Sequence, residues 1–312
     1  MADLKVWTDS NGVVHKGKLE GNLDCFEIIH CQLCDFKHAI PLPTLEELAN
    51  VYSDEYYSIE KPLYIQNYVE DKEWWDVTYK QRFDLFDSYL DLKGRSLLDV
   101  GSGPGLFLTK GQALGWTVKG IEPSSQAAKY SREVLKLDIE EKFLDASLAK
   151  NLGKFDVVNL GEVIEHLSDP AEMLKVVNSM LHDGGLISVI APNDFNPFQM
   201  LLEDSCNYDP WWIAPPYHLN YFNKESLSKL LDRCGFEVVH DETTFPIDMF
   251  LLMGDDYIGN DELGRSCHKK RINFDLNVAK NPDLNSKLRK AFSELGLGRE
   301  LFVLARKKTA TK

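Results

Sequence analysis

Three groups of residues in this chain have types and spacings that can do chemistry. The first is Leu97-Leu98-Asp99-Val100-Gly101-Ser102-Gly103-Pro104-Gly105. An apolar strand runs there into a glycine-rich turn, and a helix follows from about Leu106. Such a turn lets backbone N–H groups and a helix N-terminus approach a bound molecule without side chains in the way. The second group is Glu162, Glu165 and His166, at i, i+3 and i+4, which share one face if the turn is helical. His166 directly follows an apolar strand, and ligands in open α/β sheets bind at the carboxyl ends of strands. It is the leading general base. His218, in Pro215-Pro216-Tyr217-His218-Leu219-Asn220-Tyr221-Phe222, is the rival base or orients a substrate hydroxyl. Its plainer reading is a histidine that bonds backbone in a tight turn. The third group is Cys31-Gln32-Leu33-Cys34, with His38 four residues on and His15, Cys25 and His30 upstream. Zinc takes four tetrahedral nitrogen or sulfur ligands, and a Cys-x-x-Cys knuckle supplies two. The expected quartet is His15, Cys31, Cys34 and His38, with Cys25 as rival for the first place. Four protein ligands leave no open position, so such a zinc would be structural. Two buried structural thiols are the alternative.

The glycine spacing selects among nucleotide ligands. A dinucleotide fingerprint is Gly-x-Gly-x-x-Gly/Ala. Here the third glycine comes one residue early, at Gly105, and Leu106 takes the sixth position. That weakens NAD or FAD and favours another adenosine-bearing ligand. The run resembles motif I of the class I S-adenosylmethionine (SAM)-dependent methyltransferases. Trp116-Thr117-Val118-Lys119-Gly120-Ile121-Glu122 reads as a second strand ending in an acid, whose carboxylate can accept from both ribose hydroxyls. Phe155-Asp156-Val157-Val158-Asn159-Leu160-Gly161-Glu162-Val163-Ile164-Glu165-His166 resembles the fourth strand and following turn of many small-molecule methyltransferases. The resemblance spans about residues 75–242.

The resemblance implies roles. Gly101, Ser102, Gly103 and Gly105 approach the methionine portion of SAM, and Asp99 organises the turn. Glu122 with Pro123 meets ribose, Asp145 with Ala146 faces adenine, and Leu160 and Gly161 flank the sulfonium. Arg82 or Tyr79 reaches the cofactor carboxylate. Glu-x-x-Glu-His also resembles the ubiquinone-biosynthesis O-methyltransferases, whose matching residues are associated with a divalent metal. Glu162, Glu165 and His166 then either hold Mg²⁺ or brace the loop around the cofactor. Several sugar-modifying methyltransferases carry a similar zinc-binding N-terminal module, often with four cysteines.

Elements alternate in a way that can position these groups. Strands are expected at 96–100, 117–121, 155–160, 186–191, 236–240 and 301–305, with a weaker one at 142–144. Helices are expected at 74–92, 105–114, 124–136, 170–181 and 224–234. Thr44 and Glu47 form a capping box. Alternation predicts a mostly parallel, doubly wound α/β sheet; the resemblance implies a Rossmann-like fold of seven strands with an antiparallel last strand. Residues 1–50 form a zinc-knuckle-like module, 51–94 a helical linker and cap, and 95–312 the SAM-binding domain. Residues 192–222 read as an irregular, aromatic-rich lid insertion, with Tyr208, Trp211, Trp212, Tyr217 and Tyr221 as pocket walls or packing. Residues after 240 read as a polar connection, and the basic run 265–271 as a solvated loop.

The 312 residues carry 35 basic and 49 acidic side chains, a net charge of −14 that opposes non-specific nucleic-acid binding. No apolar run reaches the roughly 18 residues a membrane helix needs, and Met1-Ala2-Asp3-Leu4-Lys5 lacks the basic start of a signal peptide, so cytoplasmic residence is expected. The expected activity is SAM-dependent methylation of a hydroxyl on a small molecule, a nucleotide-sugar or a surface glycan. The alternatives are sugar C-methylation and a non-catalytic SAM-binding or partner-docking module. The oligomeric state is left open.

Overall fold

The computed structural model describes residues 3–44, 47, 64–90 and 94–309. Strands β1 (Leu4–Thr8), β2 (Val14–Leu23), β3 (Phe26–Cys31) and β4 (Lys37–Ile40) open the chain as antiparallel hairpins. Asp9 makes the first turn, its carboxylate accepting from the N–H groups of Asn11 (2.9 Å) and Val13 (2.7 Å). The capping box forms: Thr44 N donates to Glu47 Oε2 at 2.7 Å, and Glu47 N donates to Thr44 Oγ1 at 3.2 Å. Residues 51–63 and 91–93 of the linker expected over 51–94 lie outside the described residues. Its described part holds helices α1 (Tyr64–Glu70) and α2 (Lys72–Tyr89). Helix α2 buries Trp74, Tyr79, Phe83 and Phe86, the helical spacing that the sequence shows.

The second sheet has seven strands: β5 (Ser96–Val100), β6 (Thr117–Ile121), β7 (Ile139–Glu140), β8 (Phe155–Gly161), β9 (Leu181–Pro192), β11 (Phe236–Thr243) and β12 (Glu300–Lys307). Their order is β11-β12-β9-β8-β5-β6-β7, with β12 antiparallel to both neighbours and the pairs from β9 to β7 parallel. The expected Rossmann-like sheet is therefore present. Helices α3 (Leu106–Ala113), α4 (Ser125–Glu133), α5 (Ala146–Leu152) and α6 (Pro170–Ser179) follow successive strands. Two apolar clusters fill the layers, one with Leu98, Val158 and Leu174, the other with Phe83, Leu97 and Val157. No helix among the described residues is long and apolar enough to cross a membrane.

Four expectations need correction. The weak strand lies at Ile139–Glu140, not 142–144, because Leu137 and Ile139 turn into the core while Phe143 is half exposed. Residues 192–222 are not an irregular lid. They hold α7 (Pro197–Cys206), started by a capping box of Asn196 and Gln199, and β10 (Asn220–Tyr221), which pairs with β4 and completes the first sheet as β1-β2-β3-β4-β10. After α8 (Lys224–Arg233) and β11, the polar connection is helical: α9 (Asp248–Leu252), α10 (Asp261–Val278) and α11 (Pro282–Glu294). The basic run lies within α10. Arg265 binds Asp71 and Glu70 at 2.7 and 2.8 Å, His268 meets Asp71 at 3.0 Å, and Arg271 lies buried 4.6 Å from the Trp74 ring.

Candidate active site

Strand β5 delivers the glycine turn to the carboxyl edge of the sheet. Gly101 N and Ser102 N both donate to Ile121 O, at 2.8 and 3.0 Å, which folds the turn over β6. Gly101 and Gly105 have φ of 71° and 79°. A Cβ on them would stand 2.6 Å from Val163 Cγ2 and 2.3 Å from Leu137 Cδ1, so both positions require glycine. Glu122 caps the turn from the end of β6. Its Oε2 accepts from Gly103 N at 2.7 Å and its Oε1 from Ser124 N at 2.8 Å. Burial pushes its carboxyl up to about 7, against the two N–H donors. Asp99 is likewise pushed up to about 7 by burial, and accepts from Asn159 Nδ2 at 2.8 Å. Ser188 Oγ donates to Asn159 Oδ1 at 2.8 Å and completes that chain.

A cavity of about 1270 Å³ opens beside this turn. Gly101, Glu122, Pro123, Asp145, Ala146 and Glu162 line it, as do Trp7 and His15 of the first sheet and Leu42 just after β4. Asp145 also caps α5, accepting from Leu148 N at 2.7 Å.

Beyond β8 a 3₁₀ turn, Ile164–His166, carries the next group. His166 Nδ1 lies 2.7 Å from Tyr217 O. A carbonyl only accepts, so Nδ1 carries a proton, which leaves Nε2 as the ring's second nitrogen. That Nε2 lies 3.7 Å from Glu165 Oε1. His218 meets His166 edge to face at 5.1 Å between ring centroids. Its Nδ1 lies 3.9 Å from Asp194 Oδ2. Asp194 is buried; burial alone would raise its carboxyl, but His218 and Arg299, 3.0 Å away, outweigh it and hold it below the usual range.

Comparison with known proteins matches this geometry. The profile described as "Methyltransferase domain" matches residues 77–241, just over half of the chain. The chain belongs to the class I SAM-dependent methyltransferases. A "Ubiquinone biosynthesis O-methyltransferase" of Caulobacter sp. (strain K31) is 33% identical over 131 residues, 40% of this chain and 52% of that one. One of the same name from Marinobacter nauticus is 34% identical over 137 residues, 38% and 57% of the two chains. The chain thus spans about half the length of the curated relatives it matches. The crystal structure of magnesium protoporphyrin IX methyltransferase from Synechocystis PCC 6803, with bound SAH, superposes with a TM-score of 0.50 at 13% identity, over 81% of this chain and 97% of that one. At that identity the likeness shows the fold.

In this methyltransferase the expected cofactor residues gather around the turn. Gly101, Glu122, Pro123, Asp145 and Ala146 reach the cavity, Gly103 ties Glu122 to the loop, and Gly105 starts α3. Ser102 sits under the turn, Asp99 and Leu160 are buried beneath it, and Gly161 ends β8. Arg82 lies over the Tyr79 and Phe302 rings, 5.8 and 5.9 Å from their centroids. The helical face expected for Glu162, Glu165 and His166 does not form. Glu162 takes a φ of 54° ahead of the 3₁₀ turn, and the donors that converge within 4.8 Å are those of Glu165, His166 and His218. Trp212 and Tyr221 pack with Ile28, Ala39 and Leu219 in a small apolar cluster on the first sheet.

Sequence reasoning missed Asp194, Arg299 and Asn220. A signal existed for Asp194: it lies two residues past the end of β9, as Glu162 lies just past the end of the parallel strand β8.

The first sheet brings His15, Cys31, Cys34 and His38 together, with all donor atoms within 4.8 Å. Cys25 is exposed at the β2–β3 turn and takes no part. Zinc–sulfur bonds of about 2.3 Å and zinc–nitrogen bonds of about 2.05 Å, at tetrahedral angles, require N···N edges of about 3.4 Å and S···N edges of about 3.6 Å. The observed edges are 3.2 Å between His15 Nδ1 and His38 Nε2, and 3.7 and 3.6 Å from His15 Nδ1 to Cys31 Sγ and Cys34 Sγ. Each ring's other nitrogen faces an oxygen. His38 Nδ1 meets Ala39 O at 2.9 Å, and His15 Nε2 lies 4.0 Å from Asp9 Oδ2. Metal-bound imidazoles are oriented this way. The Cys34 side chain lowers the pKa of the Cys31 thiol, while Cys31 and burial raise that of Cys34. The four donors fit zinc.

Proposed function

We propose that this methyltransferase transfers the methyl group of SAM to a hydroxyl oxygen of a small molecule. SAM supplies a methyl on a positively charged sulfur, so the protein's work is alignment, water exclusion and proton removal. Glu122 holds the ribose, and the glycine turn approaches the methionine portion. His166 takes the hydroxyl proton on Nε2, and Tyr217 O keeps the opposite nitrogen protonated. His218, beside Asp194 and through it Arg299, packs against the His166 ring. The observation that carries this reading is His166: its Nδ1 is committed to backbone at 2.7 Å while the ring also lines the cavity that the glycine turn and Glu122 border. The relatives' name favours oxygen as acceptor, and a quinone-type ring hydroxyl is the first to try, with a nucleotide-sugar hydroxyl next. The test is methyl-labelled SAM with both acceptor classes. His166→Ala should lower turnover about 100-fold or more and leave SAM affinity within twofold. Equal loss of both would make His166 a brace for the cofactor loop.

A second reading gives Glu165, His166 and His218 a divalent cation, because their donor atoms converge. Two imidazoles and one carboxylate suit a transition ion better than Mg²⁺, which prefers oxygen. Turnover that a chelator abolishes, and that Mn²⁺ restores better than Mg²⁺, would support this reading. Full turnover in chelator would exclude it. The quartet of the first sheet holds one structural Zn²⁺ in our reading. Elemental analysis should find one zinc per chain, lost in Cys34→Ser.

A further inference from the structure

Strand β10 is shared between the zinc quartet and the histidine pair. On one side it extends the first sheet: Asn220 pairs with the zinc ligand His38, Tyr221 pairs with Lys37, and Ala39 N donates to Leu219 O at 2.8 Å. On the other side the same residues hold the 3₁₀ turn. Leu219 N donates to Glu165 O at 2.8 Å. The Asn220 amide, 3% exposed, donates to Leu167 O at 2.7 Å and to Ile164 O at 3.2 Å. The His166 ring is fixed by Tyr217 O, three residues before Asn220. Phe36, between Cys34 and His38, packs on Phe222 at 5.0 Å between centroids. Residues 217–221, with β10 at their end, thus touch the backbone of His38 on one side and the 3₁₀ turn of His166 on the other.

We infer that Asn220 is a positioning residue through which the zinc quartet sets the placement of His166. This rests on the reading above that His166 receives the acceptor proton. The coupling is physical and direct. The quartet crowds two imidazoles and two sulfurs at 3.2–3.7 Å, an arrangement that a cation holds together. When the cation leaves, β4 loses the constraint on His38, β10 follows through its backbone pairing, and the carbonyls bound by Asn220 are released. The SAM half is spared, because Gly101, Gly103 and Glu122 are held by β5 and β6.

The test uses the full chain labelled with ¹⁵N-histidine. A ring proton held on Tyr217 O should exchange slowly with water and give its own imidazole N–H signal, assigned by its loss in His166→Gln. Stripping zinc with dipicolinate should speed that exchange at least tenfold, and zinc sulfate should restore it. SAM affinity should stay within twofold throughout. Asn220→Ala should keep one zinc and normal SAM affinity, yet show the same fast exchange. Its methyl transfer to the acceptor found above should fall about 100-fold, the usual cost of misplacing a group by about 1 Å. Removing zinc from Asn220→Ala should lower the rate no further, since both changes act through one element. A slow proton in the zinc-free protein, or an unchanged proton and rate in Asn220→Ala, overturns the inference. If Asn220→Ala does not fold, the zinc-removal arm decides alone. If the wild-type chain methylates nothing, the proposed function fails, while the exchange arm still decides the coupling.

Discussion

The buried carboxylate of Glu122 makes SAM binding pH-dependent in a way that one substitution should erase. Its carboxyl is pushed from 4.5 up to about 7 by burial. At pH 8 about ten of eleven molecules carry the charge, and at pH 6 about one of eleven. If only the ionised form accepts from ribose, the apparent Kd rises about tenfold between pH 8 and pH 6. Stability moves the other way. Keeping a carboxyl so raised ionised in the folded protein costs about 3 kcal/mol. That cost is absent below about pH 4.5, grows as pH rises and is complete above about 7, so the ligand-free protein gains stability from this group on mild acidification. Glu122→Gln removes the charge and turns an amide N–H₂ toward Gly103 N or Ser124 N, both donors. Two charged hydrogen bonds to ribose become neutral or absent, at about 1.5 kcal/mol each, so Kd at pH 8 should rise about 100-fold. Calorimetric titration with S-adenosylhomocysteine at pH 6, 7 and 8 reads both effects. A variant that keeps the tenfold pH dependence, or binds within threefold of wild type at pH 8, would refute the assignment of Glu122.

Three further outcomes follow from the same geometry. Gly105→Ala forces a side chain at φ 79° to within 2.3 Å of Leu137 Cδ1; it should destabilise by about 2 kcal/mol, read as a lower urea midpoint, and weaken SAM binding. Asp194→Ala leaves Arg299 without its 3.0 Å partner and His218 without its anchor; turnover should fall at least tenfold while Glu122-dependent SAM affinity holds, and equal losses would place Asp194 in the cofactor site. Asp71→Ala removes the shared partner of Arg265 and His268; it should cost about 2 kcal/mol at pH 7, a cost that shrinks only as pH falls below the ordinary carboxylate range, because Arg265 and His268 hold this carboxyl low, and a pH-independent loss in urea melts would contradict this.

The parallel sheet and the cofactor turn were legible because each rests on local patterns. Apolar runs such as Leu97-Leu98 and Val157-Val158 name buried strands, and Gly101 and Gly105 occupy positions only glycine fits. The cluster of His15, Cys31, Cys34 and His38 was legible for a similar reason: such residue types with knuckle spacing are rare by chance, and His15 rather than Cys25 joins the other three. What stayed hidden depends on distant partners. Helix α10 buries only Cys267 and Arg271, so its apolar signal is faint, and a buried arginine stacked on Trp74 reads as solvated in sequence. Glu162 departs from its expected face through a single backbone angle. Strand β10 is two residues long, and its pairing with β4 spans about 180 positions that no local periodicity reports.

The place of β12 has a consequence for how the chain is made. It is the last strand of its sheet in sequence, yet it lies inside, between β9 and β11. While synthesis proceeds in order, β9 emerges with eight consecutive buried residues along one edge and waits more than a hundred residues for its neighbour. At roughly 5–20 residues per second that edge stays open for about 5–20 seconds. An unpaired apolar edge of this length invites pairing with another nascent copy. Expression yield should therefore depend on translation speed between β9 and β12 and on chaperone supply, even where the finished fold is stable.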